Sequence, residues 1–114
     1  MLLLSVIPQT IGIEMEEGLM LPIVEANTTI PTKVSKTLSL DANASEFNVA
    51  IWQGNKCCAQ ENSLVGVLSI KNQMLQYGKK RELEIVVDID SSMRCICHLT
   101  DKYYNVTTKI VLPH

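Results

Sequence analysis

Aromatic side chains are scarce in this sequence. One phenylalanine, one tryptophan and three tyrosines make up 4% of 114 residues. A core must therefore be packed almost wholly from aliphatic side chains, for which a 46% hydrophobic content suffices in one domain of this length. Basic charge is not in excess: ten Lys and Arg stand against twelve Asp and Glu. That balance excludes a phosphate-tracking surface and argues against nucleic acid as a partner. The one basic run, Lys79 to Arg81, adjoins Glu82 and Glu84 and reads as a solvated turn. There are two histidines, His98 and His114, and no Gly-rich phosphate loop. Neither histidine lies near a recognisable nucleophile, so no enzyme is indicated. Asp88, Asp90 and Asp101 fall at the ends of strand-like runs, where solvation accounts for them. The opening "MLLLSVIP" is too short to span a bilayer and lacks the basic leader and cleavage site of a signal peptide. Its leucines point to a longer parent chain, and no membrane partner is expected.

The four cysteines, Cys57, Cys58, Cys95 and Cys97, do not make a metal site by spacing. Strand neighbours face opposite ways, so Cys57 and Cys58 would not serve one partner, whereas Cys95 and Cys97 share a face. "CICH" offers only part of a tetrahedral zinc shell, and no second pair completes it. The expectation is buried free thiols, no metal and a reducing compartment. Glycosylation-type patterns at Asn27, Asn43 and Asn105 carry little weight without a leader.

What the sequence does have is a period of two. "TIGIEME" places Ile11, Ile13 and Met15 on one face, "EFNVAIW" places Phe47, Val49 and Ile51, and "ELEIVVDID" places Leu83, Ile85, Val87 and Ile89. "LMLPIVEA", "KVSKTLSL", "RCICHLT" and "TTKIVLP" add further strand-like runs, separated by turn signals such as "QGNK" and "DIDSS". No helical run carries caps. Many short alternating strands predict an all-β chain, an antiparallel two-layer β-sandwich, and leave binding as the default function. Between two of these runs stands "NTTIPTK", whose Pro31 interrupts pairing and marks a loop.

Several stretches taken together resemble one family. "LLLSVIPQTIGIEMEEGLMLPIVEANTTIPTK", "NVAIWQGN", "EIVVDID" and "TDKYYNVTTKIVL" are similar, in order and spacing, to the substrate-binding domain of the 70-kDa heat-shock chaperones. The resemblance spans nearly the whole chain and is weakest across "CCAQENSLVGVLSIKNQMLQYGKK". It implies residues 1–7 as the end of an interdomain linker and 8–114 as a peptide-binding sandwich, with the groove between loops at one end and no helical lid here. The implied partners are extended apolar segments of unfolded proteins, the parent chain's ATPase domain and lid, and J-domain co-chaperones. ATP and Mg would belong to that absent domain, and this fragment would hold no cofactor. The implied compartment is the cytoplasm; the endoplasmic reticulum has no support in the sequence.

Carried over by position, the resemblance assigns Ile13, Leu38, Phe47, Val49 and Leu83 to the pocket, and Met15 and Ser39 to its margin. Glu16 on one side and Leu40 or Asp41 on the other would arch over the peptide. Leu2, Leu3, Leu4, Asn27 and Pro31 would couple the groove to the ATPase domain. Several positions depart from the family pattern. Leu38 replaces an aromatic and Phe47 replaces a small β-branched residue, so bulk has crossed the pocket. Ser5 stands for the linker aspartate, and "SSMR", with Met93, replaces a glycine-containing turn. Two readings stay open: a chaperone module for short hydrophobic segments, or a degenerate module with a narrowed pocket that docks one dedicated partner.

Overall fold

The computed structural model describes residues 5–41, 46–71, 80–101 and 106–112. Among them are eight strands: β1 (Ile11–Glu14), β2 (Met20–Val24), β3 (Thr32–Asp41), β4 (Glu46–Gln53), β5 (Ser63–Lys71), β6 (Lys80–Ile89), β7 (Cys95–Asp101) and β8 (Val106–Leu112). Two three-residue 3-10 turns, Glu16–Gly18 and Ala59–Glu61, are the only helical pieces among the described residues. The strands form two four-stranded sheets, ordered β2-β1-β4-β5 and β3-β6-β7-β8. Every pairing is antiparallel. The all-β sandwich expected from the alternation is what forms.

The alternation explains the core. Strand side chains point to opposite faces in turn, so one residue in two of each strand meets the other layer. In β6, Leu83, Ile85, Val87 and Ile89 are buried, and in β7 so are Cys95, Cys97 and Leu99. Ile11 and Ile13 of β1, Val49 and Ile51 of β4, and Leu68 and Ile70 of β5 join them in one cluster. None is aromatic. β-branched residues suit this surface because their stiff side chains pack on a pleat without losing much freedom.

The structure corrects the sequence reading in several places. β5 is not marked by clean alternation, yet it pairs with β4 along its length. The register slips between Ile51 and Trp52: Ile51 faces Gly66 while Trp52 faces Leu64, so Val65 is the extra residue and the phase breaks there. Met15 continues the apolar period of β1 but leaves the strand and is 42% exposed. Asp101 is not solvated but fully buried. It sits in register between Leu83 of β6 and Val106 of β8, inside the sheet rather than past its end. Cys57 and Cys58 are neither buried nor in a strand. They lie in the coil after Gly54, whose φ of 152° only glycine adopts freely. A side chain on Gly54 would also run into Asn62. The Asn62 amide organises this coil: its oxygen accepts from Lys56 N at 3.1 Å and its nitrogen donates to Lys56 O at 2.9 Å.

Candidate functional site

Strand directions divide the molecule into two ends. β1 ends and β4 begins at one of them, because Ile13 of β1 is already level with Ile51 near the far end of β4. β3 ends and β4 begins within a few residues of each other, so both sheets share this end. The opposite end gathers Ser5–Thr10, Glu25–Pro31, Gly54–Asn55 and Asp90–Arg94, while Cys57 and Cys58 run back beside β2 to Met20 and Leu19.

At the first end lie the residues expected to form a pocket. Ile13, Leu38, Val49 and Leu83 come from four strands in both sheets and meet in the common cluster. Their exposures are 1%, 7%, 6% and 0%. Leu38 is directly opposite Leu83 in the β3–β6 register, which places them on one face. Phe47 stands opposite Ile70 in register, but its side chain, with those of Glu16, Leu40 and Asp41, lies outside the described residues. Leu2, Leu3 and Leu4 also lie outside them.

The β1–β2 connection is a tight loop. Met15 N donates to Leu19 O at 2.7 Å and Gly18 N donates to Met15 O at 3.2 Å. Glu17 has φ 68° and Gly18 φ 76°, the left-handed geometry that turns the chain this sharply. The loop holds two large apolar side chains in solvent, Met15 at 42% and Leu19 at 53% exposure. Ser39 is exposed on β3, which among the described residues is hydrogen-bonded on one side only, to β6. An edge of that kind leaves alternate N–H and C=O groups facing outward.

The opposite end is closed by hydrogen bonds. Ile7 N donates to Thr28 O at 3.0 Å, Asn27 N to Ile7 O at 2.8 Å, and Ile30 N to Ser5 O at 3.0 Å. The segment read as the end of a linker is thus zipped onto "NTTI", with Ile7 and Ile30 buried in the core. The threonines serve the loop as their short polar side chains allow. Thr28 Oγ1 donates to Glu25 O at 2.6 Å, and Thr10 Oγ1 accepts from Ala26 N at 3.0 Å. Asn27 takes φ 70°, a conformation asparagine tolerates better than most residues. The Ile30–Pro31 peptide is cis. Nearby, a surface trough of about 290 Å³ is lined by Thr10, Met20, Pro22, Gly54, Asn55, Lys56 and Cys57. The sequence reading missed it, because it depends on the fold of the coil after Gly54.

The β6–β7 turn lies at the same end. Asp90 Oδ1 accepts from Ser92 N at 2.9 Å, Ser92 Oγ at 2.8 Å and Arg94 N at 2.9 Å. The Arg94 N–H, followed by the Ser92 hydroxyl, holds this carboxyl below its usual range. Met93 stands at φ 67° where the family pattern has glycine. No cluster of metal-ligating side chains occurs among the described residues, and no helix among them is long and apolar enough to cross a membrane.

A two-layer antiparallel sandwich with an aliphatic core and an exposed apolar loop at one end defines the class of fold. Its relatives give the family. The family model described as Hsp70 protein matches residues 1–112. The chain is 31% identical over 112 residues to "Heat shock 70 kDa protein 2" of Paracoccidioides lutzii (strain ATCC MYA-826 / Pb01), covering 97% of this chain and 17% of that protein. It is likewise 31% identical over 112 residues to "Heat shock 70 kDa protein" of Ajellomyces capsulatus, covering 97% of this chain and 16% of that one. The chain belongs to the Hsp70 family, and it spans about one sixth of the length of these relatives.

Proposed function

We propose that this chain is the peptide-binding module of a larger chaperone and that it grips one extended apolar segment of an unfolded protein. The reading rests on one juxtaposition: Ile13, Leu38, Val49 and Leu83 meet beneath the end that carries exposed Met15 and Leu19 and the open edge of β3. An extended peptide offers a repeating backbone that an edge strand can bond whatever its sequence, while an apolar pocket sets the preference. Burying one leucine-like side chain contributes roughly 1.5–3 kcal/mol. Ordering the peptide opposes that gain, so affinity settles near micromolar, about −8 kcal/mol. Weak, reversible holding suits a protein that must release what it binds.

In the parent chain, an ATPase domain using ATP and Mg would precede this module, a helical lid would follow, and J-domain partners would act on the assembly. The zipped segment of Ser5–Ile7 against Asn27–Ile30 is the natural route by which the state of a preceding domain would reach the sandwich. Leu2, Leu3, Leu4, Asn27 and Pro31 are the residues assigned to that coupling.

Phe47 is the position that tests the reading. The wild-type chain should bind apolar heptapeptides and prefer a valine-centred over a leucine-centred one. Phe47→Val should reverse that preference by making room for the larger residue. Fluorescence anisotropy with both peptides on both proteins measures it, and thermal melting separates binding from stability. A wild type that binds no apolar heptapeptide, with nothing restored in Phe47→Val, overturns the proposal in favour of a module for a dedicated partner.

A further inference from the structure

Cys95 and Cys97 have no part in the proposed groove, yet their sulfurs lie 3.8 Å apart in hydrogen-bonding contact. Both are free and buried on the core face of β7. Cys95 is in register with Ile89 and Leu112, and Cys97 with Val87 and Ile110, so each thiol has apolar residues on both sides and the nearest polar residue in register is Thr32, beyond Ile89. Packed thiols of this kind are ordinarily inert for want of a partner. Here each has the other.

We propose that Cys95 and Cys97 form an oxidisable dithiol that a small hydroperoxide closes to an intrastrand disulfide. Residues i and i+2 of a strand have Cα atoms about 6.6–6.8 Å apart. Disulfides span Cα separations up to about 6.8 Å. The Cα span is within reach, but same-face Cβ atoms two residues apart in a strand stand about as far apart, beyond the roughly 3.5–4.5 Å of a disulfide, so closure must pinch β7 locally. A strained bond is the more readily reduced, which makes this a reversible pair and not a permanent staple.

The two sulfurs are not equivalent. Cys95 opens β7, retains 5% exposure and adjoins the exposed turn Asp90–Arg94, whereas Cys97 is fully buried. The contact with Cys97 favours the Cys95 thiolate, while that same contact and burial hold Cys97 protonated. Cys95 is thus the attacking sulfur. Its electron pair displaces on the outer peroxide oxygen, the O–O bond breaks, and the alkoxide leaves as alcohol after taking a proton. Cys95 becomes a sulfenic acid. Cys97 sulfur then attacks Cys95 sulfur, the S–O bond breaks, and hydroxide departs as water with the Cys97 proton. The two thiols lose two electrons, and the hydroperoxide gains them.

The test uses the chain carrying Cys57→Ser and Cys58→Ser, which removes the exposed thiols. It is treated with one equivalent of hydrogen peroxide under native conditions, then alkylated in denaturant and weighed. The expected product has lost the mass of two hydrogens, takes up no alkylating agent, and yields a linked tryptic peptide 95–102. Dithiothreitol returns both thiols. Closure should run at least tenfold faster than hydrogen exchange of the core β6 amides. Cys97→Ala should trap a dimedone-reactive sulfenic acid at Cys95. Two alkylatable thiols after treatment, oxygen addition without a link, or a link that forms only at the pace of core exchange each overturn the proposal.

Discussion

The two ends of the sandwich satisfy the same chemistry in opposite ways. The end with Ser5–Ile7 and Asn27–Ile30 spends its polar groups on itself, through three backbone bonds across two segments and a threonine in each reach of the loop. Its large apolar residues, Ile7 and Ile30, are buried. The end with Met15–Leu19 does the reverse. Its loop closes on its own backbone in five residues and leaves two large apolar side chains in water. An exposed apolar pair above an aliphatic core is costly unless something covers it. One end is therefore closed on itself, and the other leaves apolar surface open.

The same truncation at both ends should break or uphold this contrast. Ile7→Ala removes a core side chain that is 3% exposed and should lower stability by about 2–5 kcal/mol. Met15→Ala should change stability by no more than about 0.5 kcal/mol while weakening heptapeptide binding several-fold. Urea midpoints and anisotropy read both. Equal stability losses would erase the distinction between the ends.

Met93→Gly sharpens the fixed end. A side chain in the left-handed region costs about 1–2 kcal/mol, part of which glycine returns by its greater freedom when unfolded. A net gain of roughly 0.5–1 kcal/mol is expected, seen as a higher melting temperature. A lower one would mean that Met93, 39% exposed, supplies contacts worth more than its backbone strain.

At the open end Glu17 is exposed; in the sequence Glu16 precedes it, Asp41 ends β3 and Glu46 begins β4. Heptapeptides flanked by lysine should bind a few-fold tighter than those flanked by glutamate at low salt. The gap should close at high salt, because exposed charges are screened. Equal affinities at low salt would remove the acidic rim from the account.

The smallest effect concerns Asp90. Its carboxyl sits below the usual range in the folded chain, so it contributes stability above the ordinary carboxylate pKa. That contribution is lost as pH falls through the lowered folded value. Melting temperature against pH should therefore fall less steeply on the acid side in Asp90→Asn than in wild type. Parallel curves would show that the turn does not need the charge.

Most of the architecture was legible because a half-buried strand writes its burial into every second residue. β1, β4, β6 and β7 could be read from Ile11 and Ile13, Val49 and Ile51, Leu83 to Ile89, and Cys95 to Leu99. β5 could not, since the extra residue Val65 breaks its alternation, with Val67 exposed and Leu68 buried. Asp101 gave no sign of burial, because a carboxylate at the end of a strand-like run is ordinarily solvated, yet here it continues the inward face of Cys95, Cys97 and Leu99. Cys57 and Cys58 were misjudged as strand residues, because a glycine φ and an asparagine side chain decide that coil. Ile13, Leu38, Val49 and Leu83 could be named from the family pattern, and all four are buried in the core cluster. The trough beside β2 had no pattern to announce it.

β3 is a ten-residue edge strand, and its register carries a further consequence. Lys36 is paired with Ile85, so it falls in the same row as Val34 and Leu38, the side of the strand that meets the core. It is nonetheless exposed. A lysine there interrupts what would otherwise be a continuous apolar ribbon along an open edge, the template on which further strands add without limit. Another copy of this chain that docked beside β3 would have to bury that ammonium, whereas a short peptide seated near Ser39 would not reach it. One lysine thus makes the edge a poor seat for the protein's own kind.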